Sequence, residues 1–422
     1  MAIPQAAPTA SRWNGVPGNA SMAASFRERL LLIVLFLTVL TSSVAFIEPS
    51  PHDALIPVLA LAALSAGVYV GRKIAMLFLL LLIWNIGGML SLLNVVEQEK
   101  TIQYAATSIY LAVAAVLWAC LLAENTVTRL ATLRTAYVLT AAIAALIGIA
   151  GYFHAFPGLE DILAPGDRAR GLFKDPNVYA PFLIWPALVL LQRMLTERIT
   201  LGTLAASGTI MFALLLAFSR GAWFHFGLSC VVMISLALLT AATPNKRLRI
   251  FMLSAIAIGA LVVLVAILLS LPAIRTMFQE RAHLVQSYDV GQGGRFRLQE
   301  LALSDVLQFP NGMGPFEFAR THENQQHNVY LQAFLVYGWL GAMAYIVLLV
   351  STLMVGLRAA FARTPWQPYV IAAWATFVGE VAEGFVIDTD HWRHFFLILG
   401  ILWGLAAATD RYMRGPPRVL AR

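Results

Sequence analysis

Charge is scarce in this chain, and cysteine scarcer. Only 12% of the 422 residues are charged and 59% are hydrophobic, against about 25% and about 45–50% in a soluble globular domain. That balance excludes an ordinary soluble fold, a disordered chain and a nucleic-acid binder. The two cysteines, Cys120 and Cys230, both lie in apolar stretches. A disulfide framework and a CxxC metal site are therefore excluded. Internal repeats and low-complexity tracts are absent. Ionisable residues are also missing from the middle of the apolar runs. Asn85 is the polar residue found there, while Glu380, Glu383 and His225 lie one to two turns from a run's end. Ion-coupled transporters place their coupling site near the midplane, so that class is disfavoured.

What is present is long and apolar. Mean hydropathy is +0.75. A membrane-crossing helix needs about 20 mostly apolar residues, and twelve runs qualify: 30–47, 54–71, 74–95, 104–123, 136–155, 177–195, 200–218, 222–241, 250–271, 338–357, 367–387 and 393–409. The expected fold is all-α, a polytopic membrane protein of about 12 spans. Residues 1–29 read as a polar, disordered cytoplasmic tail. Spans one to nine occupy 30–271, and 272–327 form a large outer loop. Residues 328–409 hold an interfacial helix and spans ten to twelve, and 410–422 form a cytoplasmic C-terminal tail. Asn328–Tyr337 reads as the short interfacial helix, turning at Gly338-Trp339-Leu340-Gly341 into a span. Ser43-Val44-Ala45 mimics a signal-peptide cleavage site, but the preceding polar region is unusually long, so an uncleaved anchor is expected.

The basic residues orient this layout. The net charge of +7 and pI of 9.6 read as loop signal. With the N-terminus inside, 18 of the 29 lysines and arginines fall in cytoplasmic segments, at least two in each. The positive-inside rule is satisfied and both termini are cytoplasmic. The exceptions are Lys100, Arg168, Arg170, Lys174, Arg220, Arg393 and five arginines in 272–327. A long loop translocates regardless of charge, but Arg220 and Arg393 sit in very short outer loops.

The outer face thus gathers the candidates for chemistry. Residues 274–288 suit an amphipathic interfacial helix, and Gly291-Gln292-Gly293-Gly294 is a break. Arg295 to Gln308 then has helical periodicity, ended by Pro310. Arg295 falls in a first turn, where backbone amides favour an anion. Pro310-Asn311-Gly312-Met313-Gly314 suits either a plain turn or an anion-holding nest. His327, in His322-Glu323-Asn324-Gln325-Gln326-His327-Asn328, sits where a helix begins. It suits a general base near neutral pH, or is a polar group at the boundary. The spacing of His322, Glu323 and His327 fits no trusted zinc motif, and no metal or cofactor is expected. The fork of an arginine suits phosphate, which singles out Arg170, Arg220 and Arg393. Their plain alternatives are snorkelling for Arg220 and pairing with Asp388 or Asp390 for Arg393. Glu380 and Glu383 read as structural partners of outer arginines. Together these residues fit a phosphate-bearing lipid handled by a histidine base.

This ordered set resembles the O-antigen ligase and O-antigen polymerase superfamily of bacterial membrane glycosyltransferases. The resemblance rests on Arg170-Gly171-Leu172-Phe173-Lys174-Asp175-Pro176-Asn177 before a span and Ser219-Arg220-Gly221-Ala222 between two spans. It rests further on Gly294-Arg295, Gly312-Met313-Gly314, His327-Asn328-Val329-Tyr330-Leu331-Gln332 and Gly338-Trp339-Leu340-Gly341, covering about 165–345. It implies an inner-membrane enzyme of lipopolysaccharide or exopolysaccharide biosynthesis. Such an enzyme moves a glycan from undecaprenyl pyrophosphate, on the periplasmic side, to lipid A–core or to another lipid-linked glycan. The reaction is inverting and metal-independent. By the same resemblance His327 is the catalytic base and Arg170, Arg220 and Arg295 hold the pyrophosphate. Arg297, Gly312, Gly314, His322, Asn328 and Arg393 are supporting candidates. Asp388-Thr389-Asp390-His391-Trp392-Arg393-His394 lies outside the pattern and points toward a capsule or exopolysaccharide polymerase subgroup. Ligase and polymerase are not separated. The alternatives are a transporter or flippase for a lipid-linked glycan or anion, and a non-catalytic scaffold.

Overall fold

The computed structural model describes residues 19–96, 98–155, 157–282 and 294–415. Among these residues the chain is helical, with no strand. In chain order the helices are α1 (Asn19–Leu40), α2 (Pro51–Ala66), α3 (Arg72–Ser91), α4 (Gln98–Ala123), α5 (Thr126–Tyr152), α6 (Glu160–Leu163), α7 (Pro176–Thr196) and α8 (Leu201–Leu216). Then come α9 (Arg220–Thr240), α10 (Pro244–Leu269), α11 (Pro272–Ala282), α12 (Arg295–Gln308), α13 (Glu317–His322), α14 (Val329–Phe361), α15 (Gln367–Glu383) and α16 (Arg393–Arg414).

Among the described residues eight helices are long and apolar enough to cross a membrane: α4, α5, α7, α9, α10, α14, α16 and α3 with the turn after it. The other four expected positions also carry helices, but these fall outside that set. α2 and α8 have 16 residues each, about 24 Å at 1.5 Å per residue, short of a core about 30 Å thick. α15 has 17 residues. α1 differs in another way, because it begins at Asn19 rather than near residue 30. The supposed tail is therefore helical from residue 19. Glu28 takes two hydrogen bonds from Arg129, at 3.0 and 2.8 Å, and Arg129 is buried. That buried cation needs its carboxylate, which ties the charged turn of α1 to the bundle.

Helix contacts come close where side chains are small. A Cβ on Gly400 would lie 2.6 Å from the Ala115 carbonyl, and one on Gly404 2.7 Å from that of Ala119. α16 can press against α4 because neither position carries a side chain. α10 is the most apolar helix, with mean hydropathy 2.9 over its best window, and only 11% of that window is buried. Its exposed Ile256, Val262 and Ile267 face outward, as lipid-facing residues do.

The helix broken by glycine follows expectation. Gly338 (φ 62, ψ −177) interrupts α14, in a region of backbone space open essentially to glycine alone. α12 spans Arg295–Gln308 as its periodicity predicts, burying Leu298, Ala302 and Val306 against Leu335 and Phe318. The expected 274–288 helix is seen as α11 over its described part, and residues 283–293 lie outside the described residues. Serine 219 caps α9, so 201–240 is two helices rather than one broken one.

Several contacts tie helix ends and loops together. Lys174 meets Glu48 at 2.8 Å, Arg393 meets Asp53 at 2.6 Å, and Asn94 donates to the Gly312 carbonyl at 2.8 Å. Lys73 meets Asp410 at 2.9 Å and Arg411 meets Glu124 at 3.7 Å.

Candidate active site

The start of α14 sets up the histidine. Asn328 caps the helix, its side-chain oxygen accepting from the Tyr330 and Leu331 amides at 3.0 and 3.2 Å. Capping leaves His327 outside the helix in the left-handed region (φ 48), where its ring is half exposed. The Val329 amide donates to the Gly384 carbonyl at 2.9 Å, and Asn328 Nδ2 donates to that of Phe385 at 3.2 Å. These bonds bring the segment after α15 alongside His327. Asp388 Oδ2 then stands 3.5 Å from His327 Nδ1. The other carboxylate oxygen of Asp388 is buried with no hydrogen-bond partner among the described residues. Burial pushes the Asp388 carboxyl above its ordinary range, although His327 pulls the other way. With Nδ1 on Asp388, Nε2 is the nitrogen left to face a substrate.

The arginines come from helix starts. Arg220 is the first residue of α9, following Ser219, whose hydroxyl accepts from the Ala222 amide. Beside it, a Cβ on Gly221 would lie 2.9 Å from Glu383 Oε1, so the start of α9 rests on the end of α15. Glu383 Oε2 sits 2.8 Å from His225 Nδ1, and His225 Nε2 sits 2.9 Å from the Thr376 carbonyl. Both ring nitrogens of His225 face oxygen atoms of α15. Glu383 and Glu380 thus meet histidines, with His394 Nε2 3.6 Å from Glu380. Because Glu383 directly precedes Gly384, one turn of backbone fixes Arg220 relative to His327. Arg295 is the first residue of α12. One turn on, Gln299 Nε2 donates to the Gln326 carbonyl at 3.3 Å, so Arg295 shares the face that meets the residue before His327.

The remaining candidates are placed differently. Arg170 spends two guanidinium nitrogens on the carbonyls of Ile162 (2.8 Å) and Lys174 (2.6 Å). Arg168 donates to the Ala217 carbonyl (2.9 Å) and to Asn177 (2.8 Å), which locks the 168–177 motif onto the chain just before Ser219. Gly312 and Gly314 form a turn, not an open nest. The Met313 and Gly314 amides both donate to the Leu335 carbonyl, at 2.7 and 3.1 Å. Arg297 pairs with Glu300 on the exposed face of α12, and His322 with Asp305 at 2.8 Å. Arg393 pairs with Asp53, not with Asp388 or Asp390 as its plain reading supposed.

Asp390 instead accepts from the hydroxyls of Tyr104 (2.6 Å) and Tyr337 (3.1 Å). Burial would raise its carboxyl, but His391 and those hydroxyls outweigh it and hold Asp390 below its ordinary range. Beyond it opens a cavity of about 890 Å³, lined in part by Asp53, Tyr104, Tyr110, Lys174, His391 and Arg393. Sequence reasoning missed Asp53 and the partnership of Asp388 with His327. Asp53 was detectable, as one of two acidic residues, with Glu48, in a very short outer loop.

Residues 205–346 match the family model described as O-antigen ligase. The match covers about a third of the chain and supports the O-antigen ligase/polymerase superfamily, in a protein with several helices apolar enough to cross a membrane. It runs from α8 into α14 and includes Arg220, Arg295, His322 and His327. Arg170, Asp388 and Arg393 lie outside it. No curated protein matches the chain significantly.

Proposed function

We propose that the chain is a periplasm-facing, metal-independent inverting glycosyltransferase that moves a glycan from undecaprenyl pyrophosphate to an acceptor hydroxyl. The observation that carries this reading is His327 set 3.5 Å from Asp388, in segments that also meet two helices beginning with an arginine, α9 through Glu383 and α12 through Gln326. His327 Nε2 takes the proton of the acceptor hydroxyl as that oxygen attacks the anomeric carbon. The bond from that carbon to the pyrophosphate oxygen breaks, and its electron pair leaves with undecaprenyl pyrophosphate. Asp388 orients the imidazole and stabilises the imidazolium as it forms. Arg220 and Arg295 stand at helix starts, where the guanidinium and the backbone amides favour the growing negative charge. They supply the positive charge that a divalent ion gives other transferases. Arg170 holds the loop that supports the start of α9. Twelve spans with both termini cytoplasmic remain part of this reading, since they put the histidine and arginines on the periplasmic side.

The test is reconstituted transfer in EDTA. Purified protein in lipid receives an undecaprenyl-pyrophosphate-linked glycan native to its source cell, with lipid A–core in one tube and no added acceptor in another. Product only with lipid A–core identifies a ligase, and longer lipid-linked chains without it identify a polymerase. His327→Ala is expected to lower kcat about 10²–10⁴-fold, the usual worth of a positioned base. Product formation by His327→Ala at the wild-type rate would overturn the assignment of the base. No product in either tube would overturn the enzyme.

A further inference from the structure

The cavity beyond Asp390 is a feature that this mechanism leaves unused. Its lining contains none of Arg170, Arg220, Arg295 or His327. Three basic residues line it, Lys100, Lys174 and Arg393, and three acidic ones, Glu48, Asp53 and Asp175. Arg393 faces Asp53 at 2.6 Å and Lys174 faces Glu48 at 2.8 Å. His52, His391 and His394 also line it, and much of the remaining wall is apolar or aromatic, Trp118, Phe173, Phe182 and Trp392 among it. Charges that are balanced and partly paired are poorly suited to a pyrophosphate, which needs excess positive charge. A sugar matches this mixture, with hydroxyls for the paired donors and acceptors and C–H faces for the apolar wall.

The details fit such a ligand. Asp53 is fixed on both oxygens. One accepts from Tyr110 at 3.0 Å, and the other from Arg393 and the Ser50 amide, at 2.6 and 2.8 Å. The result is a rigid fork-and-carboxylate wall. Nearby the Tyr104 and His391 rings lie 3.9 Å apart between centroids, with Phe316 edge-on to Tyr104. Flat ring faces of this kind pack against the C–H faces of sugars. A volume of about 890 Å³ falls in the range of small-molecule sites, about 300–1,000 Å³.

Position decides which glycan. The backbone from 383 to 393 runs from Glu383, against the start of α9, through Asp388 on His327, to His391 and Arg393 in the cavity wall. Along this stretch the contact with His327 lies between the contact with the start of α9 and the cavity wall. An inverting displacement places nucleophile and leaving group on opposite sides of the anomeric carbon. We propose that this cavity is the acceptor-glycan subsite, with the Arg393–Asp53 pair and Tyr110 as the clamp that positions the attacking sugar. The proposal rests on the glycosyltransferase reading.

The test uses full-length protein and whichever acceptor, lipid A–core or lipid-linked glycan, the wild type uses. Asp53→Asn and Tyr110→Phe weaken the clamp. Ala106→Trp leaves it intact and fills the cavity from a position exposed to it. KM for acceptor and for donor are measured separately for each. The acceptor KM is expected to rise about tenfold or more, the scale of one lost charge-assisted hydrogen bond, with donor KM unchanged. A rise confined to donor KM would overturn the proposal by putting the cavity on the donor side. If all three variants keep both constants at wild-type values, the cavity is not a substrate site. A wild type that transfers to no acceptor removes the underlying reading, a result distinct from wild-type transfer with insensitive variants.

Discussion

Replacing Asp388 by asparagine tests the His327 arrangement most directly. The carboxylate lies 3.5 Å from His327 Nδ1. At an effective dielectric of about 20, a full imidazolium and carboxylate at that distance attract by about 5 kcal/mol. His327 is half exposed, so solvent screens much of this. The range for a hydrogen bond to a charged group, about 1.5–3 kcal/mol, is the better guide. It corresponds to a fall in kcat of about 10- to 150-fold. Because the imidazolium exists only once the proton has moved, KM for both substrates should stay near wild type. The stability effect has the opposite sign. Burial raises the Asp388 pKa in the fold, so its contribution to stability is present at low pH and lost as pH rises through that raised value. Asparagine mimics the neutral form. Asp388→Asn should therefore melt no lower than wild type at pH 7 while transferring far more slowly. The assay is the reconstituted transfer between pH 4 and 8, with thermal unfolding alongside. A variant with wild-type kcat, or one whose lost activity tracks a lost fold, would refute the reasoning.

Other outcomes follow from single contacts. Arg220→Lys keeps the charge and loses the planar fork, so kcat/KM for donor should fall about tenfold or more; wild-type kinetics would remove Arg220 from the site. Gly338→Ala places a Cβ 2.7 Å from the Asn311 carbonyl carbon at φ +62. Strain of about 1–3 kcal/mol should lower the melting temperature, and an unchanged melting curve would contradict the glycine requirement. Asp390 is held below its ordinary pKa. Its stabilisation is therefore full above about pH 3.9 and lost as pH falls through the lowered value. Asp390→Asn should flatten that acid loss, and parallel acid-unfolding curves for the two proteins would count against it.

Much of the architecture is local, and local signals are legible in a sequence. The apolar runs place a helix at every expected position, because about 20 apolar residues have few other ways to satisfy their backbone in lipid. Capping and glycine chemistry are equally local. Ser219 before Arg220, Asn328 after His327 and Gly338 inside an apolar run each mark a helix boundary or break that the structure contains. The first turn of α12 at Arg295 is of the same kind. The helix at 19–29 was not legible, because what holds it is Arg129, about a hundred residues away.

Partnership is where tertiary structure takes over. Asp388 stands five residues from Arg393 in the chain, yet it faces His327, while Arg393 reaches back to Asp53. No periodicity records that choice, because it depends on how α15 and α16 pack against helices from the other end of the chain. The Gly312 and Gly314 turn illustrates the same limit. Its amides look available in sequence, and only the fold shows the Leu335 carbonyl taking them. The sequence by itself determined where the long helices lie and which side chains could do chemistry. The tertiary structure decided which of those side chains meet, because a side chain's partner is set by long-range packing that the order of residues does not display.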